Sequence, residues 1–271
     1  MDRIFIDGLE VFANHGVLAE EKSLGQKFIV SVEMFLDTTM AGYLDDLNQT
    51  INYAKVCEFI NTYMKENTFK LIETVANRLG NELLVAYDNI QMINVTVKKP
   101  WAPIGYPLEC VSVSASRQWH TVYLSIGSNM GDKEKYLDYA VNALEGNRYM
   151  KDICVSKYLV TKPYGMTEQD DFVNAAIKVK TVYSPYEMLY VINGIEREAG
   201  RKRTIHWGPR TLDIDILFYD DVVMDDEKLT IPHADLHNRE FVLAPLCELS
   251  PNLVHPVNNM TVSQMLDVVR N

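Results

Sequence analysis

The chain has 271 residues, 47% of them hydrophobic and 23% charged, and a formal net charge of −11. This composition suits one large or two ordinary globular domains, and the acidity argues against a nucleic-acid binder, which needs a broad basic surface. No run approaches the roughly 18 apolar residues of a membrane span. Met1 to Asp7 lacks a secretory apolar region, and the four scattered cysteines follow no metal-ligand spacing, so a cytoplasmic protein with reduced thiols is expected.

In chain order, Arg3 to Asp7 reads as a short strand. From Lys27 to Asp37 the residues alternate strictly: Phe28, Val30, Val32, Met34 and Leu36 share one face, Ser31 and Glu33 the other. Val56, Phe59, Ile60 and Tyr63 fall at helical spacing, as do Leu71, Val75, Leu79 and Leu83. Strands return at 92–98 and 110–117. This order predicts an antiparallel four-stranded sheet with two helices on one face, an α+β unit whose open edges oligomerisation would close.

The second half opens with a strand at 121–126, a Gly127-Ser128-Asn129-x-Gly131-Asp132 turn and a helix carrying Leu137, Ala140, Val141 and Leu144. Strands at 153–161 and 172–179 follow. A helix then starts at Ser184-Pro185 and stops near Gly200, and the last strand runs from Thr211 to Tyr219. Strand-helix-strand-strand-helix-strand is the ferredoxin-like order. No long linker separates the halves, so the expected domains are residues 1–118 and 119–271.

Period-two alternation places Asp213 and Asp215 on one face of that last strand and Leu212, Ile214 and Ile216 on the other. Paired carboxylates on a rigid surface suit a hard divalent cation. Arg197, Arg201, Lys202, Arg203, His206 and Arg210 lie just upstream. Cation ligands beside guanidiniums are the constellation of phosphoryl transfer.

Five segments in order closely resemble 6-hydroxymethyl-7,8-dihydropterin pyrophosphokinase from about residue 121 to the C-terminus. They are the Gly127 turn; Thr161-Lys162-Pro163-Tyr164-Gly165 with Gln169, Phe172 and Asn174; the basic stretch; Asp213-Ile214-Asp215; and Pro232-His233 with Asn238-Arg239-Glu240-Phe241. The resemblance implies diphosphate transfer from ATP to a pterin hydroxymethyl group, releasing AMP. It implies two Mg²⁺ on Asp213 and Asp215, and Arg201 and Arg210 on a loop that closes over the triphosphate. Glu196, Arg203, Ile216, Lys228, His233 and Arg239 would contact ATP. Phe172 and Phe241 would sandwich the pterin, with Thr161, Pro163, Tyr164 and Asn174 around it. Lys228 stands where the family pattern has arginine; it keeps the charge and loses the bidentate fork.

Residues 2 to 118 resemble dihydroneopterin aldolase. The matching residues are His15-Gly16-Val17, Glu21, Gly25-Gln26, Asn52-Tyr53, Leu71-Ile72-Glu73 and Lys99-Pro100-x-Ala102-Pro103. The resemblance implies a tunnelling-fold unit, a ring-like homo-oligomer, and retro-aldol cleavage of 7,8-dihydroneopterin to glycolaldehyde and 6-hydroxymethyl-7,8-dihydropterin. Lys99 would be the acid–base group, a role that a lysine can take if its surroundings lower its pKa. Glu73, with Ile72, would anchor the pterin, and Glu21 would stand near its side-chain hydroxyls. Tyr53 would stack on the pterin and aid proton transfer from a neighbouring subunit. Alternation puts Lys98 on the opposite face from Lys99. Together the halves imply consecutive folate-pathway steps on pterins and ATP, with no nucleic-acid or membrane partner. The rival readings are a pyrophosphokinase whose N-terminal half is a non-catalytic or epimerase oligomerisation domain, and an ATP-sensing module without turnover.

Overall fold

The computed structural model describes residues 1–163, 169–201 and 210–271. The chain divides into two compact units, Met1–Trp119 and His120–Asn271.

The first unit comprises β1 (Asp2–Ala13), α1 (Ala19–Leu24), β2 (Gln26–Leu36), α2 (Thr39–Leu44), α3 (Tyr53–Glu66), α4 (Ile72–Ala86), β3 (Met92–Lys99) and β4 (Val111–Gln118). The strands form one antiparallel sheet in the order β1-β2-β3-β4. Phe28, Val30, Val32, Met34 and Leu36 are all fully buried, as alternation requires, together with Ile93, Val95 and Val97 of β3. Against them pack α3, through Val56, Ile60 and Met64, and α4, through Val75, Leu79 and Leu83. This is the antiparallel sheet with two helices on one face that the order of elements predicts. The opposite face is polar, with Ser31, Glu33, Asn94, Thr96, Lys98 and Ser114 on it. The first strand is longer than Arg3 to Asp7, because a register shift at Gly8, where φ is +71°, lets pairing resume from Leu9 to Ala13.

The second unit comprises β5 (His120–Ser128), α5 (Lys133–Glu145), β6 (Met150–Val155), β7 (Leu159–Thr161), β8 (Phe172–Thr181), α6 (Pro185–Glu198), β9 (Asp213–Tyr219), β10 (Met224–Asp225), β11 (Thr230–Ile231), α7 (Glu240–Leu249) and α8 (Val262–Arg270). Its antiparallel order β6-β8-β5-β9 is ferredoxin-like. The strand expected at 153–161 is two pieces on the same partner, β6 and β7, parted where Ser156 bonds Ala176 through both its main chain and its hydroxyl. Ser184 caps α6 in a capping box with Glu187, with Pro185 in the first turn.

One sheet face packs on α5 and α6 through Val122, Leu124, Ile126, Ile214 and Ile216. The other face changes character along its strands. Tyr123, Ala176 and Leu217 lie under α7 and α8. Two and four residues further on, the same face presents Ser125 and Gly127, Asn174 and Phe172, and Asp215 and Asp213. The helices that complete the core therefore stop where the polar residues begin, and the cleft opens there.

Candidate active sites

The cleft of the second unit holds about 320 Å³. The ladder places Gly127 opposite Asn174 of β8 on one side and opposite Asp213 of β9 on the other. A carboxylate and a carboxamide thus flank a glycine in one row, two strand spacings or roughly 10 Å across. Asn174 is buried and donates from Nδ2 to Thr161 Oγ1 at 2.8 Å. A Cβ on Gly127 would lie 2.6 Å from Asn174 Oδ1, so glycine is what lets the amide lie flat over β5. Gly127→Ala is expected to raise the KM of the substrate held by that amide by about 10-fold, the scale of one lost hydrogen bond, with the KM of a substrate held at Asp213 little changed. Steady-state kinetics with each substrate varied in turn checks this; an equal rise in both would refute it.

Asp213 is bound by two guanidiniums: Arg201 Nη1 stands 2.7 Å from Oδ1, and Arg210 pairs with Oδ2. Arg201 also pairs with Glu196, whose Oε1 accepts the Ile214 N–H at 2.8 Å. Burial raises the pKa of Glu196 against the opposing pull of the Ile214 N–H and Arg201. The Asp215 side chain keeps 40% of its surface open to the cleft. Protein crowds it elsewhere, and that desolvation, with Asp213 beside it, raises its pKa despite His233, Arg210 and Arg239. His233 Nδ1 accepts the Asp235 N–H, leaving the proton on Nε2, 4.0 Å from Asp215 Oδ2. Arg239 donates to Asp235 at 2.8 Å and lies 5.9 Å over the Phe241 ring.

Among the described residues no group of three or more His, Cys, Asp or Glu stands ready to hold a metal. Two adjacent carboxylates fit Mg²⁺, which keeps waters and takes its remaining ligands from phosphates. They do not fit a structural zinc, which needs four protein ligands.

Of the residues expected here, Thr161, Phe172, Asn174, Arg210, Asp213, Asp215, Arg239 and Phe241 line the cleft, and Arg201, Glu196 and His233 reach it through the contacts above. Pro163 follows Thr161 on the chain and does not line it. Ile216 turns its side chain into the core, which leaves only its main chain for a nucleotide. Lys228 is exposed, and its N–H is held by Asp226 at 2.8 Å. Tyr164, Arg203, His206, Trp207 and Gly208 lie outside the described residues. Sequence reading overlooked Asp235, which orients both Arg239 and His233. It also missed what Asn129 does: buried, it accepts the Arg210 N–H at 2.7 Å and donates to Gln169 at 3.0 Å.

In the first unit Lys99 pairs with Glu21, and both are nearly buried, at 12% and 8% side-chain exposure. Burial works against the Glu21 charge. Bonds from Lys99, the Leu18 N–H at 3.0 Å and Gln26 at 3.1 Å outweigh it and hold the carboxyl below the usual range. Lys98 lies on the opposite, polar face, as alternation predicts. Ile72 is buried at the start of α4, and Glu73 is exposed in that helix's first turn. Tyr53 begins α3, capped by Asn52, and is 62% exposed. The 14 residues of α3, roughly 21 Å, separate Tyr53 from the end of that helix that leads to α4 and Glu73.

A family model described as 7,8-dihydro-6-hydroxymethylpterin-pyrophosphokinase matches residues 123–251. The pyrophosphokinase of Haemophilus influenzae is 40% identical over 146 residues, 54% of this chain and 91% of that protein. The chain belongs to this pyrophosphokinase family. Ahead of that domain, a dihydroneopterin aldolase model matches residues 4–116, so the pyrophosphokinase domain follows an aldolase-family domain in one chain. A folic acid synthesis protein of Pneumocystis carinii is 31% identical over 99% of this chain. The chain spans only 37% to 44% of the length of the first curated relatives it matches. A solved structure of the E. coli dihydroneopterin aldolase is 29% identical over 43% of this chain and 99% of that one, with a TM-score of 0.41. Among the described residues no helix is long and apolar enough to cross a membrane.

Proposed function

We propose that the chain performs two consecutive steps on one pterin: retro-aldol cleavage of 7,8-dihydroneopterin, then diphosphate transfer from ATP to the 6-hydroxymethyl-7,8-dihydropterin so formed. The observation that carries this reading is the row Asp213–Gly127–Asn174, which sets a cation ligand beside an amide suited to a heterocycle's hydrogen-bonding edge.

In the pyrophosphokinase half, Asp213 and Asp215 would hold Mg²⁺, two ions by the family pattern; when bound, the metal neutralises charge on the triphosphate. Phe172 and Phe241 stack on the flat ring, with Asn174, Thr161, Pro163 and Tyr164 along its edge. Arg201 and Arg210, which here neutralise Asp213, pass to phosphate oxygens, where their planar forks fit. Glu196, Arg203, His233, Arg239, Lys228 and the Ile216 main chain serve the nucleotide. Positioning then decides the rate: the hydroxymethyl oxygen meets the β-phosphorus in line and gives its proton to solvent as its bond to phosphorus forms, while the bond from that phosphorus to the α–β bridging oxygen breaks and the oxygen leaves with AMP.

In the aldolase half, Glu73 and Ile72 hold the pterin, and Lys99, with Glu21, relays the proton lost from the side-chain hydroxyl. The carbon–carbon bond breaks, its electron pair moves into the ring imine, and reprotonation of carbon gives the hydroxymethyl product. Tyr53 comes from a second copy, which the length of α3 supports, so the working enzyme is a homo-oligomer through its N-terminal unit.

One assay tests both halves. Given dihydroneopterin, Mg²⁺ and ATP, the pure chain is expected to release glycolaldehyde first and AMP after it. AMP from added hydroxymethyl-dihydropterin without any glycolaldehyde would leave the pyrophosphokinase alone, and a changed side-chain stereocentre without cleavage would identify an epimerase. AMP formation with no pterin present would overturn the transfer.

A further inference from the structure

His15 is fully buried, its ring stacked on Phe69 with centroids 5.7 Å apart and 13° between planes, and edge-on to Phe28. Its Nδ1 accepts the Phe69 N–H at 3.2 Å, and the next residue, Gly16, donates its own N–H to the Phe69 carbonyl at 2.9 Å. Two adjacent residues thus grip both polar groups of one peptide position. Gly16 in turn packs so closely on Glu21 that any side chain there would overlap the carboxylate. Phe69 lies four residues before Glu73.

The histidine is an expensive choice for this space. With Nδ1 accepting, the ring proton sits on Nε2, which is buried and has no hydrogen-bond partner among the described residues. An unpaired buried donor costs about 1–3 kcal/mol. An aromatic hydrocarbon could stack on Phe69 and Phe28 without that cost, so what imidazole adds is the Nδ1 acceptor. Burial, with the Lys99 charge nearby, lowers the His15 pKa to about 4, so the ring is neutral and the acceptor available at neutral pH.

We propose that His15 is a positioning residue of the aldolase site: its Nδ1 fastens the loop bearing Glu21 to the segment that leads into Glu73, fixing the Glu21–Lys99 pair relative to the pterin anchor. The inference rests on the aldolase reading above. His15 touches no reacting atom; it acts through Gly16, Glu21 and Phe69.

The test compares His15→Phe, which keeps the stacked ring and loses the acceptor, with His15→Asn, which returns an acceptor oxygen near the Nδ1 position. Glycolaldehyde release from dihydroneopterin is followed in the full chain, with AMP release from hydroxymethyl-dihydropterin and ATP as an internal control. His15→Phe is expected to lower aldolase kcat on the order of 10- to 100-fold, the scale of a misplaced catalytic group, and to raise the KM severalfold. His15→Asn should recover most of the kcat, the control should stay constant, and Phe69 amide exchange should be fast in the first variant and slowed again in the second. Unchanged kinetics in His15→Phe would overturn the role, and so would equal damage in both variants, which would mean that ring packing alone matters. If the wild-type chain released no glycolaldehyde, the aldolase reading itself would fail and this role with it.

Discussion

Asp213→Ala is expected to lower AMP formation by about 10³-fold or more while glycolaldehyde release continues at the wild-type rate. Metal stabilisation of charge on a transferring phosphoryl group is worth several kcal/mol, and about 4 kcal/mol corresponds to 10³ in rate. The substitution should leave the fold intact, for three reasons visible in the structure. Asp213 stands at the polar end of β9, outside the core. Arg201 retains Glu196 as a partner, and Arg210 is about one-third exposed and can turn to water. The first unit, which carries Lys99 and Glu21, is separately compact, so its reaction serves as the control. Asp213→Asn separates the two uses of the carboxylate, since it preserves shape but is a poor cation ligand. Its Mg²⁺ dependence should shift to far higher concentration. Retained diphosphate transfer at the normal Mg²⁺ requirement would discard the metal assignment.

Lys99→Ala is expected to lower the aldolase kcat by about 10²- to 10⁴-fold, the range of general acid–base catalysis, with AMP formation from supplied hydroxymethyl-dihydropterin unchanged. Here stability must be separated from chemistry. Lys99 and Glu21 are both nearly buried, and removing one partner of a buried pair leaves an uncompensated charge that costs about 3–5 kcal/mol. Lys99→Ala alone therefore destabilises the first unit. Adding Glu21→Gln removes the stranded charge and should restore much of the denaturation midpoint. If lysine serves only to neutralise Glu21, the double variant releases glycolaldehyde as fast as Glu21→Gln alone. If Lys99 moves the proton, stability returns and glycolaldehyde release stays far below that of Glu21→Gln, which is the expected result.

Several elements were legible because their signals are local. Phe28 to Leu36 states its buried face by alternation, and the buried side chains follow it residue by residue. Ser184-Pro185 announces α6 through a capping box. Asp213 and Asp215 share a face because side chains alternate along any strand. The last helix, α8, carried the same kind of signal in Thr261 and Gln264, whose side chains close a second capping box, and it was overlooked. Its predecessor α7 had less to show: it is apolar on most sides and contains Pro245, so neither periodicity nor a breaker rule marks it.

The amino-acid order alone thus determined which faces of the main strands and helices are buried, the strand-helix order of each unit's central sheet, and which carboxylates stand side by side. Only the tertiary structure decided the partnerships between distant segments. Lys99 meets Glu21 across 78 positions, His15 meets Phe69 across 54, and Gly127 finds Asn174 and Asp213 on separate strands. The physical reason is that backbone geometry fixes where a side chain points within its own element. Which group it faces depends on strand register and on the packing of whole layers, and no local pattern specifies those.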